Sequence, residues 1–169
     1  MSEFKKTFDK NLKRVEDMAK LYDFLNKSPE FKSSELSKSD FKLTDILRTA
    51  IVLLHASFEE YYRNILIELL TIKIDDENAK DENISRYKEF DTFGNDTKIK
   101  KCGKKAGLNF EGFSFDTMNK AITRRHQIVH VADISKKTDD ENEKGELRKI
   151  QYKTIISYID SYKSFIDFV

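Results

Sequence analysis

Residues 47–70 read LRTAIVLLHASFEEYYRNILIELL. Ile46, Ala50, Leu53, Leu54, Phe58, Tyr61, Tyr62, Ile65, Leu66, Leu69 and Leu70 recur there at spacings of three and four, which is a broad apolar band on a helix. The helix is expected to start near Asp40 or Thr44 and to run to about Ile72. At ~1.5 Å per residue it spans around 40 Å, enough to be the spine of a domain. Upstream, Phe4, Phe8, Leu12, Val15, Met18, Leu21, Tyr22 and Leu25 make a second apolar stripe. That helix should end near Asn26 to Ser28, because Pro29 biases the residue before it out of helical geometry. Ser33 to Asp40 reads as a connector. Downstream, apolar density falls between Asp75 and Lys105, where loops with one or two short helices are expected. Ser114-Phe115-Asp116 opens another helix, with Ser114 or Asp116 as its N-cap and Met118, Ala121, Ile122, Ile128 and Val129 on its apolar side. After a mixed-charge loop from Asp133 to Arg148, a last helix is expected from about Leu147 to Phe168. It carries Ile150, Thr154, Ile155, Tyr158, Ile159, Tyr162, Phe165 and Ile166. The fold class is therefore all-α. We expect a bundle of about four main helices, with additional short helices and long charged loops, and residues 1–169 as a single domain.

Composition agrees with that class. The 169 residues include only 5 Gly and 1 Pro, too few turn residues for a sheet protein. Charged residues reach 36%, but 13 Phe and 7 Tyr supply large units for burial. With 31 basic and 30 acidic residues the net charge is +1, which excludes a bulk polycation and an acidic tail. The single Cys102 allows no internal disulfide, and one Cys with three His is not expected to assemble a zinc site, so no metal and no cofactor is foreseen. A reducing, cytoplasmic location fits this cysteine usage best. The opening MSEFKKTFDK lacks the apolar core of a signal peptide, and no run approaches the roughly 20 apolar residues that span a bilayer. No membrane partner is expected.

One segment has the residues for chemistry. Arg124-Arg125-His126-Gln127-Ile128-Val129-His130 holds two of the three histidines. His126 and His130 are four apart and share a helical face. Arg125 and His130 are five apart, about 500° of turn, and do not. They converge only if the helix bends or if two copies of the segment meet at a dimer interface. An imidazole exchanges protons at neutral pH, and a guanidinium holds a phosphate and offsets charge developing on it. RNA brings its own nucleophile, the 2′-OH. Together these suffice for RNA cleavage without a metal, leaving a 2′,3′-cyclic phosphate and a 5′-OH end. The same residues also suit plain surface charges and a helix-end histidine favoured by the dipole.

The run TRRHQIVHVAD resembles the R-x4-6-H signature of the HEPN superfamily, in which a polar residue follows the Arg. Arg125 matches the Arg, His126 the polar follower and His130 the His. Residues 47–70 also resemble the first core helix of the RiboL-PSP-HEPN-like branch, Arg48 and Glu59 being the matching positions. The resemblance covers roughly Phe41 to Asp133. It implies a HEPN-like four-helix bundle, a homodimer with a composite cleft, and an endoribonuclease acting on RNA in a toxin–antitoxin or phage-defence setting, with an antitoxin protein as a further partner. Arg125, His130 and His126 would be catalytic, with Glu59, Arg48 and Arg124 in support. Two positions depart from the pattern. Val131 stands where Gly often follows the His. Ala132 stands where some members carry the Tyr that an antitoxin adenylylates, which argues against that mode of silencing.

Other residues have an additional reading. Glu59, beside the seam between its helix and that of Arg125, is expected to reach Arg48 or Arg125. His55, one turn earlier, either joins the cleft or fills the core. Lys98, Lys100, Lys101, Lys104 and Lys105 can grip RNA phosphates or simply face water. The tyrosine stripes have the spacing of core packing, and Cys102 has no evident catalytic partner. The alternative to an enzyme is a non-catalytic HEPN-like domain that binds RNA or acts as a regulator or adaptor. A helical interaction protein outside that superfamily is the third reading.

Overall fold

Helix α1 (Glu3–Lys27) buries Phe8, Leu12, Val15 and Ala19, the i, i+4, i+7, i+11 positions of its stripe. Phe4 and Leu21, expected in the same stripe, are exposed on its edges. Pro29 ends α1 as expected, and Ser28 caps the next turn by accepting the Phe31 N–H at 3.1 Å. The expected connector is two short helices, α2 (Pro29–Ser33) and α3 (Glu35–Lys38). A computed structural model describes residues 3–38, 42–73, 93–134 and 147–169.

The spine is α4 (Thr44–Lys73). It packs most extensively on α1 and also touches α5 (Asp96–Ala106), α6 (Asp116–Val131) and α7 (Tyr152–Phe168). Helix α7 in turn contacts α1 and α6, so the four long helices close around one core. The class is all-α: among the described residues the only β-type pairing is an isolated antiparallel bridge, Ile134 to Leu147. Most of the low-apolar stretch after α4 and of the 133–148 loop lies outside the described residues. No helix among the described residues is long and apolar enough to cross a membrane.

The phenylalanines explain how a charge-rich chain fills this core. Phe165 of α7 lies within ring-packing distance of Phe58, Tyr62, Phe110, Phe113 and Phe115. Such aromatic pairs add about 0.5–1.5 kcal/mol beyond area burial. The lysine-rich run forms α5, capped by Asn95 at its start and closed by Gly107 at φ +93°. It buries Ile99, Cys102, Gly103 and Ala106 and turns Lys98, Lys101, Lys104 and Lys105 to solvent. Lys100 pairs with Asp96 at 2.7 Å and lies over the Phe115 ring.

Two boundaries differ from the sequence reading. The cap of α6 is Phe115, with no side-chain cap bond, while Ser114 Oγ accepts the Asp116 N–H at 3.4 Å. Burial of the Phe115 ring takes precedence over capping there. Helix α7 starts at Tyr152 rather than near Leu147, because the Arg148 and Lys149 carbonyls are taken by arginines from other helices.

Gly103 marks the tightest contact. A Cβ at that position would collide with the Phe110 ring and the Tyr62 hydroxyl, which donates to the Ile99 carbonyl at 2.8 Å. Gly103→Ala is therefore expected to lower stability by about 1–3 kcal/mol, despite the ~1 kcal/mol that alanine gains in a helix. Urea unfolding with an unchanged m-value is the measurement.

Candidate functional site

Three groups of polar side chains meet around α6, and they separate the six candidate residues. The first is a buried clamp. Asp133, fully buried just past the end of α6, accepts from Arg48 Nε and from Arg124 Nη2, both at 2.8 Å on Oδ2. Arg48 also donates to Thr44 Oγ1 at 2.6 Å and pairs with Asp45 at 3.1 Å. Both guanidiniums donate to the Arg148 carbonyl, at 2.9 and 3.0 Å, and Arg124 reaches the Lys149 carbonyl at 3.2 Å. Burial pulls Arg124 below the usual arginine value, as do the neighbouring Arg48 and Arg148 charges, against the opposing pull of Asp133. Ala132 and Asp133 adopt left-handed φ of 50° and 59° to turn the carboxylate inward. Arg48 and Arg124 thus belong together, and of the two arginines Glu59 is expected to reach, Arg48 is taken by Asp133.

The second group is inside the bundle. Glu59 Oε1 accepts the Phe93 N–H at 2.9 Å and stands 3.5 Å from His55 Nε2. That second spacing is an electrostatic contact rather than a well-formed hydrogen bond. The other ring nitrogen, His55 Nδ1, is 2.8 Å from the Tyr162 hydroxyl. Burial pushes the Glu59 carboxyl up, but the His55 imidazole, the Phe93 N–H and the Arg125 charge outweigh it, so its pKa falls below 4.5. Burial, with Glu59 adding, drives the Tyr162 hydroxyl well above 10. Arg125 itself is half-buried, on the same inward stripe as Met118, Ala121 and Ile122.

The third group faces out. His126 and His130 are both exposed, with ring centroids 4.3 Å apart. Val129, one turn after Arg125 on the inward stripe, is nevertheless 47% exposed. Arg125 and His130 therefore leave the helix in different directions, as their spacing requires, and α6 is continuous between them. Among the described residues no group of three or more His, Cys, Asp or Glu is placed to hold a metal ion.

Sequence reasoning did not single out Asp133, which reads as the first acid of a charged loop, or Tyr162, which reads as core. The one available signal for Asp133 is an acid placed directly after a helix bearing two arginines. For Tyr162 it is a hydroxyl in a stripe whose neighbours are Ile and Phe.

Two outcomes follow from the charges. Asp133→Ala leaves two guanidiniums on an empty site and is expected to cost about 3–5 kcal/mol, read by denaturant unfolding. Glu59 has a depressed carboxyl pKa, so between that value and about 4.3 the unfolded chain binds more protons. Its stabilisation is complete above that window and is lost as pH falls through it. The stability gap between the native chain and Glu59→Gln should hold constant at neutral pH and narrow below about pH 4.5, measured by unfolding at a series of pH values.

Comparison with family models, with curated proteins and with solved structures finds no significant match for this chain.

Proposed function

We propose that the protein is a metal-independent endoribonuclease of the HEPN type, built on a HEPN-like four-helix bundle and acting as a homodimer through a composite cleft. The observation that carries this reading is the exposed His126–His130 pair, 4.3 Å between rings, on the helix whose Arg125 stands one turn before an uncovered Val129. One imidazole removes the proton of the RNA 2′-OH, and the other returns a proton to the leaving 5′-oxygen. The guanidinium of Arg125 offsets the negative charge that builds on the phosphorus oxygens. The 2′-oxygen bonds to phosphorus as the 5′-oxygen leaves, giving a 2′,3′-cyclic phosphate and a 5′-OH.

Since Arg125 and His130 diverge on one helix, a two-fold axis beside Val129 is the economical way to unite the two kinds of group. The exposed apolar surface at this end, Val129 with Ile134 and Leu147, suits a second copy. The solvent-facing lysines of α5 supply phosphate contacts away from the chemistry. A toxin or defence role, with an antitoxin partner, follows from the resemblance of the R-x4-6-H segment. With Ala132 in place of tyrosine, silencing would act by occlusion rather than by modification at that position.

A second reading is favoured by one observation. Arg125 Nε is buried and its charge acts on Glu59, which also suits a structural arginine in a non-catalytic RNA-binding or adaptor domain. Activity separates the two. The purified chain, dimeric by light scattering, is expected to cut RNA in EDTA and to leave cyclic phosphate ends. His130→Ala should lower the rate by about 10²–10⁴-fold, the usual loss of a general acid or base. Cleavage that needs added magnesium, or that survives His130→Ala, rejects the ribonuclease reading.

A further inference from the structure

Tyr162 and His55 are 0% and 1% exposed, in the most aromatic part of the core. Phe58 packs on both, with ring centroids 5.0 Å from Tyr162 and 6.0 Å from His55. Two phenylalanines would fill this space without a polar atom to satisfy. Instead the chain buries a phenol and an imidazole, and it leaves His55 Nε2 short of a hydrogen bond. An under-satisfied buried polar group is costly, which gives the arrangement a purpose other than packing.

The direction of the hydrogen bonds follows from the carboxylate. In a neutral imidazole, Nδ1–H donating to Tyr162 would leave the lone pair of Nε2 facing the ionised Glu59 at 3.5 Å, an unfavourable contact. In an imidazolium Nε2 carries a proton in any case. With the Tyr162 O–H donating to Nδ1 at 2.8 Å, Nε2 carries the proton and presents it to Glu59 Oε1. The same oxygen is held from another side by the Phe93 N–H at 2.9 Å. Tyr162, His55 and Phe93 therefore restrict where the Glu59 charge lies, across three separate segments of the chain. The neighbour that feels this charge from α6 is Arg125, whose Nε is buried without a hydrogen-bond partner among the described residues. A guanidinium on a long side chain takes its orientation in part from the charges around it.

We infer that Tyr162 and His55 are positioning residues, acting through Glu59 to hold the Arg125 guanidinium at the edge of α6 where it meets a substrate phosphate. The role in cleavage rests on the ribonuclease reading above; the ordering of Arg125 does not.

The test compares the native chain with Tyr162→Phe, with Tyr162→Phe combined with His55→Phe, and with His55→Gln. Four readouts are taken: single-turnover RNA cleavage, affinity for a 2′-deoxy oligonucleotide of the same sequence, thermal unfolding, and the Arg125 Nε–H signal in 1H–15N spectra. The double variant exchanges a buried polar pair for apolar rings, a gain opposed by loss of the imidazole beside the Glu59 carboxylate. Its unfolding midpoint is therefore expected to stay close to that of the native chain, and rates are read well below that midpoint. Its cleavage rate should fall roughly 10- to 100-fold, the scale of a misplaced catalytic group, with affinity within about twofold. The Arg125 signal should broaden or shift. The amide of His55→Gln can accept from Tyr162 and donate to Glu59, and should restore the rate to within about threefold. If the double variant does not fold, Tyr162→Phe alone is read by the same criteria.

Cleavage and an Arg125 signal both unchanged in the phenylalanine variants overturn the inference. So does a loss of rate that merely tracks a fall in the unfolding midpoint, since that marks a structural role. A native chain that cuts no RNA removes the ribonuclease reading instead. The Arg125 signal then decides the positioning by itself, a moved signal supporting it and an unmoved one rejecting it.

Discussion

Asp133 Oδ2 takes one hydrogen bond from α4, through Arg48 Nε, and another from α6, through Arg124 Nη2. A lone carboxylate at full burial would shed its charge or unfold its surroundings, and two buried guanidiniums without it would repel. Together, with Thr44, Asp45 and two backbone carbonyls accepting further N–H groups, they form a set in which each member makes the others tolerable. The left-handed turn at Ala132 and Asp133 stores strain of order 1–3 kcal/mol per residue and persists because the clamp overdetermines it. The same clamp pins the chain after the 135–146 segment, with Arg148 N–H donating to the Asp133 carbonyl at 2.9 Å. The end of α6 is thereby fixed against α4 and against the approach to α7. Whatever His126 and His130 do, they do it on a rigid helix end.

Three consecutive residues of that helix are used in three directions. Arg124 goes to the clamp, Arg125 turns inward toward Glu59, and His126 faces solvent beside His130. Steps of about 100° per residue make this division unavoidable. They also mean that a single copy presents a histidine edge and an arginine edge, not a closed site. Val129 lies between the two edges and is left uncovered. A second copy or a bound strand across Val129 would bring both edges to bear on one phosphate, so in the proposed ribonuclease the incomplete burial of this stripe and the incompleteness of the site have one cause.

Periodicity made the long helices legible. Phe8, Leu12 and Val15, or Leu54, Phe58 and Tyr62, could be placed before any coordinates because burial of large apolar side chains dominates where a helix lies. Pro29 was equally informative about where α1 stops. Boundaries set by polar contacts were not legible. The five residues before α7 look helical by pattern, but their carbonyls are worth more to buried guanidiniums than to a first helical turn. Phe115 takes the cap position of α6 because its ring is needed in the core. The arginines show the same limit. Glu59 is expected to reach Arg48 or Arg125, and of the two Arg48 is satisfied by an acid 85 residues away. Spacing along a helix reveals which residues share a face; it does not reveal which distant acid will arrive there.

The atoms left without a partner bring these strands together. His55 Nε2, Arg124 Nε, Arg125 Nε and Asp133 Oδ1 are the buried side-chain polar atoms lacking a hydrogen bond among the described residues. Two belong to the clamp and two to the array around Glu59, which reaches the aromatic core through His55, and none lies along α1. A bundle selected for stability alone would distribute such defects or remove them, since an apolar side chain of similar size is often neutral or stabilising in their place. Their confinement to the two networks that flank α6 concentrates the incompletely bonded polar atoms of the described residues beside that helix. The aromatic cluster centred on Phe165 then has a second consequence beyond filling space. It supplies stability independently of the polar groups, and so allows an imidazole, a carboxylate and two guanidiniums to remain packed around one helix with their hydrogen bonding incomplete.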